Sequence, residues 1–334
     1  MDDTHIRLAH GNGGLYMREL IETLFARHLA NPLLDVQTDA AELPTMDGVL
    51  MITTDGFTVQ PLEFPGGTIG SLAVHGTVND LAVSGAVPHY LTLNAFIEEG
   101  FEISKLERIV ISLAAAASEA KVVVVAGDTK VVPRGEGGGL YLACTGVGSR
   151  PRHLNLGMDR VQSGDSVLVS GPVGDHGIAV MLAREEFGLS GDLLSDAASV
   201  FPLTQVMIEF SGLRFMRDPT RGGLATVMHE ICRATGLEVR LNQTAIPVRE
   251  QVASVCEMLG YDPMFLACEG RVVAVVDSSQ ANEVLKRLQL LPQGRDAAII
   301  GSVHEGRAQV VLRTELGGER ILEELEDDPL PRIC

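Results

Sequence analysis

Four short segments in the first half of the chain each carry an aspartate: Asp39 in TDAAEL, Asp55 in TTDGF, Asp80 in VNDLAV and Asp128 in AGDTKVV. Read as the ends of successive elements, they bring hard oxygen donors together. Mg²⁺ calls for such donors, because it shares its shell between carboxylates, phosphate oxygens and water. Any one of them alone reads as readily as a turn or helix cap. The four together point to a polyphosphate site. Lys130, two residues past Asp128, can meet a phosphate as a point charge, or it is an ordinary surface lysine. The glycines of HGNGG (Gly11, Gly13 and Gly14) suit a loop that brings backbone N–H groups up to anionic oxygens.

In the second half, MRDPTRGGLATVMHE sets Asp218 where a Pro-Thr turn and a pair of glycines lead into a helix, to bind an anion, ligate a metal or cap the helix. MFLACEGRVVAVV sets Glu269 between apolar runs, where desolvation raises a carboxyl toward the general-base range. An ion pair with Arg271 accounts for the same residue equally well. His10, His75, His89 and His176 share no spacing and read as structural. The chain closes on PRIC, with Cys334 on an end that Pro329 and Pro331 keep extended. Chain termini are mostly of little consequence, yet the stretch from Glu326 to Cys334, fully extended, spans roughly 30 Å. Cys144, Cys232, Cys256 and Cys268 lie in apolar, periodic surroundings such as YLACTGV and read as small buried hydrophobes. No CxxC pair occurs, and an odd cysteine count suits free thiols in a reducing compartment.

With 334 residues, two domains are expected, and the absence of Trp leaves a mostly aliphatic core. The net charge of −18, with no run among the 26 Lys and Arg, argues against a nucleic-acid partner. A bound polyphosphate must then be neutralised by metal ions held on carboxylates rather than by a basic patch. MDDTHIRLAHGNGG lacks the basic start and apolar core of a signal peptide, and no apolar run reaches membrane-span length, so a cytoplasmic protein without a membrane partner is expected. Walker A, GxGxxG, HExxH and GxSxG patterns are all missing. Any nucleotide site is of another kind.

The elements that must position these residues read as mixed α and β. GVLMITTDG, HYLTLNAFI, KVVVVAG and GLYLACTGVG read as strands, the third ending at a glycine turn before Lys130. TIGSLAVHGTVNDLAVSGA and ISKLERIVISLAAAASEA carry helical spacing, the second with Ser104 able to cap it. The pattern-poor stretch SRPRHLNLGMDRVQSGD places a boundary near residue 150. Beyond it, SVLVSGPVGDHGIAVM reads as a strand, glycine turn and helix, further helices are expected at about 203–211, 222–235, 249–259 and 279–289, and further strands at about 237–241, 271–277, 297–303 and 308–313. The expected domains are 1–150 and 151–322, followed by an acidic tail, 323–334, that does not pack.

Taken in order, TDAAEL, TTDGF, TVNDLAVSGA, AGDTKVV, SGPVGDHG, MRDPTRGGLATVMHE and FLACEGR, closed by PRIC, resemble the HypE family of hydrogenase maturation proteins over essentially the whole length. That family lies in the ATP-binding superfamily of aminoimidazole ribonucleotide synthetase and selenophosphate synthetase. The resemblance implies a PurM-like fold of two α/β domains, with the N-terminal sheets of a homodimer pairing into a barrel-like core. It implies a carbamoyl dehydratase: the carbamoyltransferase HypF loads Cys334, ATP drives dehydration of the S-carboxamide to S-cyanide, and the HypC–HypD iron scaffold receives the cyanide for the [NiFe] centre. ATP contacts then fall on Gly11, Gly13, Gly14, Asp55, Asn79, Asp80, Gly127, Asp128, Thr129, Lys130, Asp218 and Thr220. Asp39, Asp55, Asp80, Asp128 and Asp218 become the Mg²⁺ carboxylates. Cys334, Lys130 and Glu269 become catalytic, with Glu269 as the base. The alternatives are a superfamily kinase or synthetase acting on a free small molecule, with the tail incidental, and a docking protein that offers its tail as a peptide.

Overall fold

The structure, a computed structural model, describes residues 3–184, 188–189 and 191–326. Cys334, Pro329 and Pro331 lie outside the described residues. The described residues divide into two compact units, one made of 3–81 with Ala86–Pro151, the other of Ala82–Gly85 with the described residues of 152–326.

The first unit begins with a short helix, α1 (Leu15–Leu20), which runs on into a π-helical turn, Ile21–Ala26. Then come β1 (Val49–Phe57), the small hairpin β2 (Glu63–Phe64) and β3 (Gly67–Thr68), α2 (Ile69–Val83), β4 (Val87–Glu98), α3 (Ile103–Glu119), β5 (Val123–Val132) and β6 (Leu140–Arg150). Four of the strands form a mixed sheet in the order β1-β6-β4-β5, which closes no barrel within the chain. Its one parallel pair, β4 with β5, is joined by α3, the crossover a parallel pair requires. In β1, Met51, Thr53 and Asp55 point to the covered face, while Leu50 and Ile52 stand outward, 65% and 70% exposed.

Leu106, Ile109, Val110, Leu113, Ala116 and Ala117 recur every three or four residues in α3 and form its buried stripe. Ser104 does not cap this helix. The N-cap is Glu102, without a side-chain bond, because the N–H of Ile103 is already taken by the Thr4 carbonyl at 3.0 Å and the helix starts earlier than Ser104. Against α3 lies α2, and the contact depends on Gly70, where a Cβ would run into the Ile109 carbonyl. Gly70→Ala is expected to destabilise the protein by about 1–3 kcal/mol, measured as a lowered midpoint in denaturant unfolding.

The strand expected to end at Gly127 continues to Val132, paired with β4 as far as Glu98. Gly127 is no turn. It sits where β5 passes so close to β4 that a Cβ would meet the Leu93 carbonyl, so the glycine marks a close approach of two backbones. Asp128 and Lys130 therefore lie within a strand, two residues apart on one face.

The second unit comprises β7 (Ser166–Val169), α4 (Asp175–Ala183), α5 (Phe201–Met207), β8 (Leu213–Arg217), α6 (Gly223–Thr235), β9 (Glu238–Asn242), α7 (Glu250–Leu259), β10 (Val273–Val276), α8 (Ser278–Gln289), β11 (Ala298–His304), β12 (Val310–Arg313) and β13 (Glu319–Leu322). Seven strands form one sheet in the order β13-β12-β9-β11-β7-β10-β8. Alternate residues feed opposite cores. Val167, Val169, Val273 and Val275 pack with Leu224, Met228 and Ile231 of α6. Leu168, Ala274 and Val276 pack with Leu203 of α5 and Val284 and Leu288 of α8. Both faces are covered, which is why VVAVV reads as an unbroken apolar run.

Leu322, 1% exposed, closes β13 at the expected end of the second domain, and beyond it Glu324 makes an exposed ion pair, both carboxylate oxygens lying 2.8 Å from Arg233 Nη1. No helix among the described residues is long and apolar enough to cross a membrane.

Candidate active site

In the first unit the glycine loop and the GDT segment border two cavities that share Ile21 and Val36. Gly11 packs on β5, where a Cβ would sit 2.9 Å from Val131 Cβ, and Gly13 holds φ +79° in the left-handed region that favours glycine. Gly13 and Gly14 line a cleft of about 570 Å³ with Met17, Arg18, Ile21 and Val36. A smaller cavity of about 100 Å³ shares Ile21 and Val36 and is bordered by Gly127, Asp128 and Thr129. The wall common to both includes the π-helical turn, an element frequent at functional sites. Asp128 Oδ1 accepts the Thr129 N–H at 2.8 Å, and Oδ2 lies 2.7 Å from Lys130 Nζ. That ammonium holds the Asp128 carboxyl below the usual carboxylate range. Both side chains are about half exposed, so a phosphate reaching Lys130 would compete with a solvated, weakly coupled partner.

Asp55, Asn79 and Asp80 gather elsewhere, where β1 meets α2. Asp55 stands opposite Cys144 in the ladder, and its Oδ1 accepts the Gly56 N–H at 2.8 Å. Asp80 Oδ2 accepts the Thr53 hydroxyl at 2.7 Å, and Asn79 beside it is buried. α2 comes this close because Gly146 has no side chain: a Cβ there would sit 2.7 Å from Thr77 Cγ2. Asp55 and Asp128 are on the two edge strands of the sheet, three strand spacings of about 4.8 Å apart. Asp39 lies in irregular chain before β1, exposed, rather than at the end of an element. Among the described residues no group of three His, Cys, Asp or Glu side chains is placed to hold a metal ion.

In the second unit, Asp218 follows β8 and is 8% exposed. The turn beyond it is nested on the FLACEG segment. Pro219 accepts the Cys268 N–H at 3.0 Å, Thr220 accepts the Gly223 N–H at 3.0 Å, and a Cβ on Gly223 (φ +58°) would sit 2.5 Å from the Leu266 carbonyl. Asp218 and Thr220 thus share a neighbourhood with Glu269, itself buried. The Arg271 guanidinium lies 3.4 Å from Asp196, 3.2 Å from Asp175 and 2.8 Å from the Pro172 carbonyl. Arg249 also reaches Asp175, at 2.8 Å. Burial pushes both carboxyls up, and the two guanidiniums oppose it at Asp175 as Arg271 does at Asp196. Asp175 is the first residue of α4, inside SGPVGDHG, where Gly174 (φ +86°) was a visible signal; Asp196 carries none in the sequence.

The four described cysteines and the four histidines named above sit in packed or hydrogen-bonded surroundings. Cys144, Cys232, Cys256 and Cys268 are buried and free. Burial pushes Cys144 and Cys232 up to about 11 and Cys256 up to about 12, and raises Cys268 as well, so none is a ready thiolate near neutrality. His10 accepts the Arg7 N–H at 2.9 Å, His89 and His176 meet Ser149 and Ser195 at 2.9 and 2.8 Å, and His75 is buried in α2.

Residues 37–149 match the N-terminal domain of AIR synthase related proteins, and residues 162–313 match their C-terminal domain. The carbamoyl dehydratase HypE of Azotobacter vinelandii is 45% identical over 331 residues, 98% of this chain and 97% of that protein. The chain belongs to the HypE family. A crystal structure of a HypE in complex with ATP shares the fold at TM-score 0.93 and 43% identity, covering 98% of this chain and 99% of the other. A crystal structure of a HypE–HypF complex matches at TM-score 0.80 and 42% identity, covering 92% and 99%. The HypE resemblance carried by the ordered segments is borne out, and so is the mixed α/β, PurM-like fold it implied.

Proposed function

We propose that this chain is an ATP-dependent carbamoyl dehydratase that makes the cyanide ligands of the [NiFe]-hydrogenase iron on its own Cys334. The observation that carries this reading is full-length similarity, at 45% identity, to a carbamoyl dehydratase HypE. In the reaction the carboxamide oxygen of S–C(=O)–NH₂ attacks the γ-phosphorus and ADP leaves. Loss of the N–H protons then expels phosphate and leaves S–C≡N. The sum is carboxamide plus ATP giving thiocyanate, ADP and phosphate, so the water removed is accounted for by ATP. A thiol tethered to a chain end suits this chemistry, because the group must be loaded by HypF, dehydrated at ATP and unloaded onto the HypC–HypD scaffold.

The residue roles are those that membership of the family implies. Gly11, Gly13 and Gly14 offer backbone N–H groups, Gly13 and Gly14 from the cleft that shares Ile21 and Val36 with the cavity bordered by Gly127, Asp128 and Thr129. Lys130 meets the transferring phosphoryl oxygens. Family membership assigns further nucleotide contacts to Asp55, Asn79 and Asp80 of the first unit and, separately, to Asp218 and Thr220 of the second, where Glu269 accepts a proton. The scattered carboxylates fit a Mg²⁺ that arrives on ATP and takes one or two of Asp39, Asp55, Asp80, Asp128 and Asp218, rather than a preformed cage. Bound there, it neutralises phosphate charge that this acidic chain has few cations to meet. The outward Leu50, Ile52, Phe96 and Tyr141 on one sheet face support a homodimer built by sheet pairing. The reading places the protein in the cytoplasm with its partners.

The alternative of a kinase or synthetase acting on a free small molecule is not favoured by relatives that carry the dehydratase name over their whole length. The test is intact mass spectrometry after incubation with HypF, carbamoyl phosphate and ATP. A carbamoyl adduct on Cys334 that converts to a cyano adduct is expected; an unmodified chain beside an active HypF removes the proposal.

A further inference from the structure

Glu269 sits on the Ala267–Arg271 stretch, which is not part of a regular strand, so no ladder fixes its backbone. Asp196 does this instead. Its Oδ1 accepts the N–H of Glu269 at 3.2 Å and its Oδ2 accepts the N–H of Gly270 at 3.3 Å, so one carboxylate spans two consecutive peptide donors. Gly270 completes the fit, since a Cβ there would run into the Asp196 carbonyl. The same Oδ2 lies 3.4 Å from Arg271 Nε, and Arg271 ties the assembly to Asp175 and to the Pro172 carbonyl. The Asp196 side chain is fully buried. A buried charge is kept only where its partners hold it, and every partner named here belongs to the Glu269–Arg271 segment.

We propose that Asp196 is a positioning residue for the dehydration step, fixing the peptide from which Glu269 presents its carboxylate. The inference rests on the reading of Glu269 as the base. Burial pushes the Asp196 carboxyl up, while Arg271 and the two N–H groups draw it back. The clamp holds together as a unit. Asp196→Asn breaks it, because the amide offers one acceptor oxygen and turns an NH₂ toward the second N–H and toward Arg271. Glu269 would then sample positions that a proton transfer over about 3 Å does not tolerate.

The test uses the full chain, with Cys334 loaded by HypF, and follows conversion of the carbamoyl to the cyano adduct by intact mass. Asp196→Asn is expected to lower the rate constant, kcat, of this conversion by about tenfold or more while its amplitude and the KM for ATP stay within about twofold, whereas a general loss of folded protein would lower the amplitude and leave the rate constant unchanged. Asp196→Glu is the second variant. It keeps the buried charge, displaces the two N–H groups by a methylene, and is expected to show the same split. Asp196→Asn combined with Glu269→Gln is expected to be no slower than Glu269→Gln alone, since one residue acts through the other. A stalled Glu269→Gln beside Asp196 variants of normal kcat overturns the positioning role alone. Near-normal turnover of Glu269→Gln overturns the base reading, and the positioning role with it.

Discussion

A chain ending at Ile333 is expected to fold and to bind ATP, yet to form no thiocyanate at all. The loss is total because no other thiol can take over. Cys144, Cys232, Cys256 and Cys268 are buried, and their thiols are pushed above the ordinary cysteine range by that burial. Only the thiolate is a competent nucleophile, so each of these holds a negligible reactive fraction near neutrality. Removing a single terminal residue leaves β13 and the Glu324–Arg233 ion pair in place, so stability is expected to be nearly unchanged. The measurement pairs intact mass after incubation with HypF, carbamoyl phosphate and ATP with maturation in cells. Mature, cyanide-ligated hydrogenase supported by the truncated chain would sink the tail-thiol mechanism.

The interior of the fold was legible and its margins were not. α3 and the central strands announce themselves because their apolar spacing answers to burial on one or both faces. β8 and β13 escaped, and they are the two edges of the seven-stranded sheet. Edge strands carry charge as a matter of course. In LRFMR the apolar alternation is interrupted by Arg214, which is accommodated by Asp165 at 3.4 Å and Asp277 at 2.9 Å, partners far away in the sequence. ERIL is likewise polar, and only its pairing with β12 makes it a strand.

The site divides along the same line. The type of each chemical residue was visible, but its neighbours depend on register. Asp55 and Asp128 each follow an apolar run and so look convergent, whereas the order β1-β6-β4-β5 sets them on opposite edges. Gly127 looked like a turn because glycine punctuates loops more often than it lets two strands touch. Asp196 has no signal of its own: its role exists only because the chain brings it under the peptide of Glu269, 73 residues away.

Glu269→Gln is the second large effect expected. Glutamine has the same shape and keeps a carbonyl acceptor, so the buried site stays filled and the clamp of Asp196 on the backbone N–H groups, which does not involve the side chain, is untouched. What is lost is the base. Expelling phosphate from the activated carboxamide requires an N–H proton to leave at the same time, and a positioned side chain contributes about 10²–10⁴-fold to such a transfer. Thiocyanate formation is therefore expected to fall by about that factor with ATP affinity unchanged, because the phosphate-facing residues belong to other segments. Following ADP and thiocyanate in one turnover locates the block. ADP release that outruns thiocyanate puts Glu269 after phosphoryl transfer, where proton removal belongs, and near-normal thiocyanate formation removes Glu269 from the mechanism.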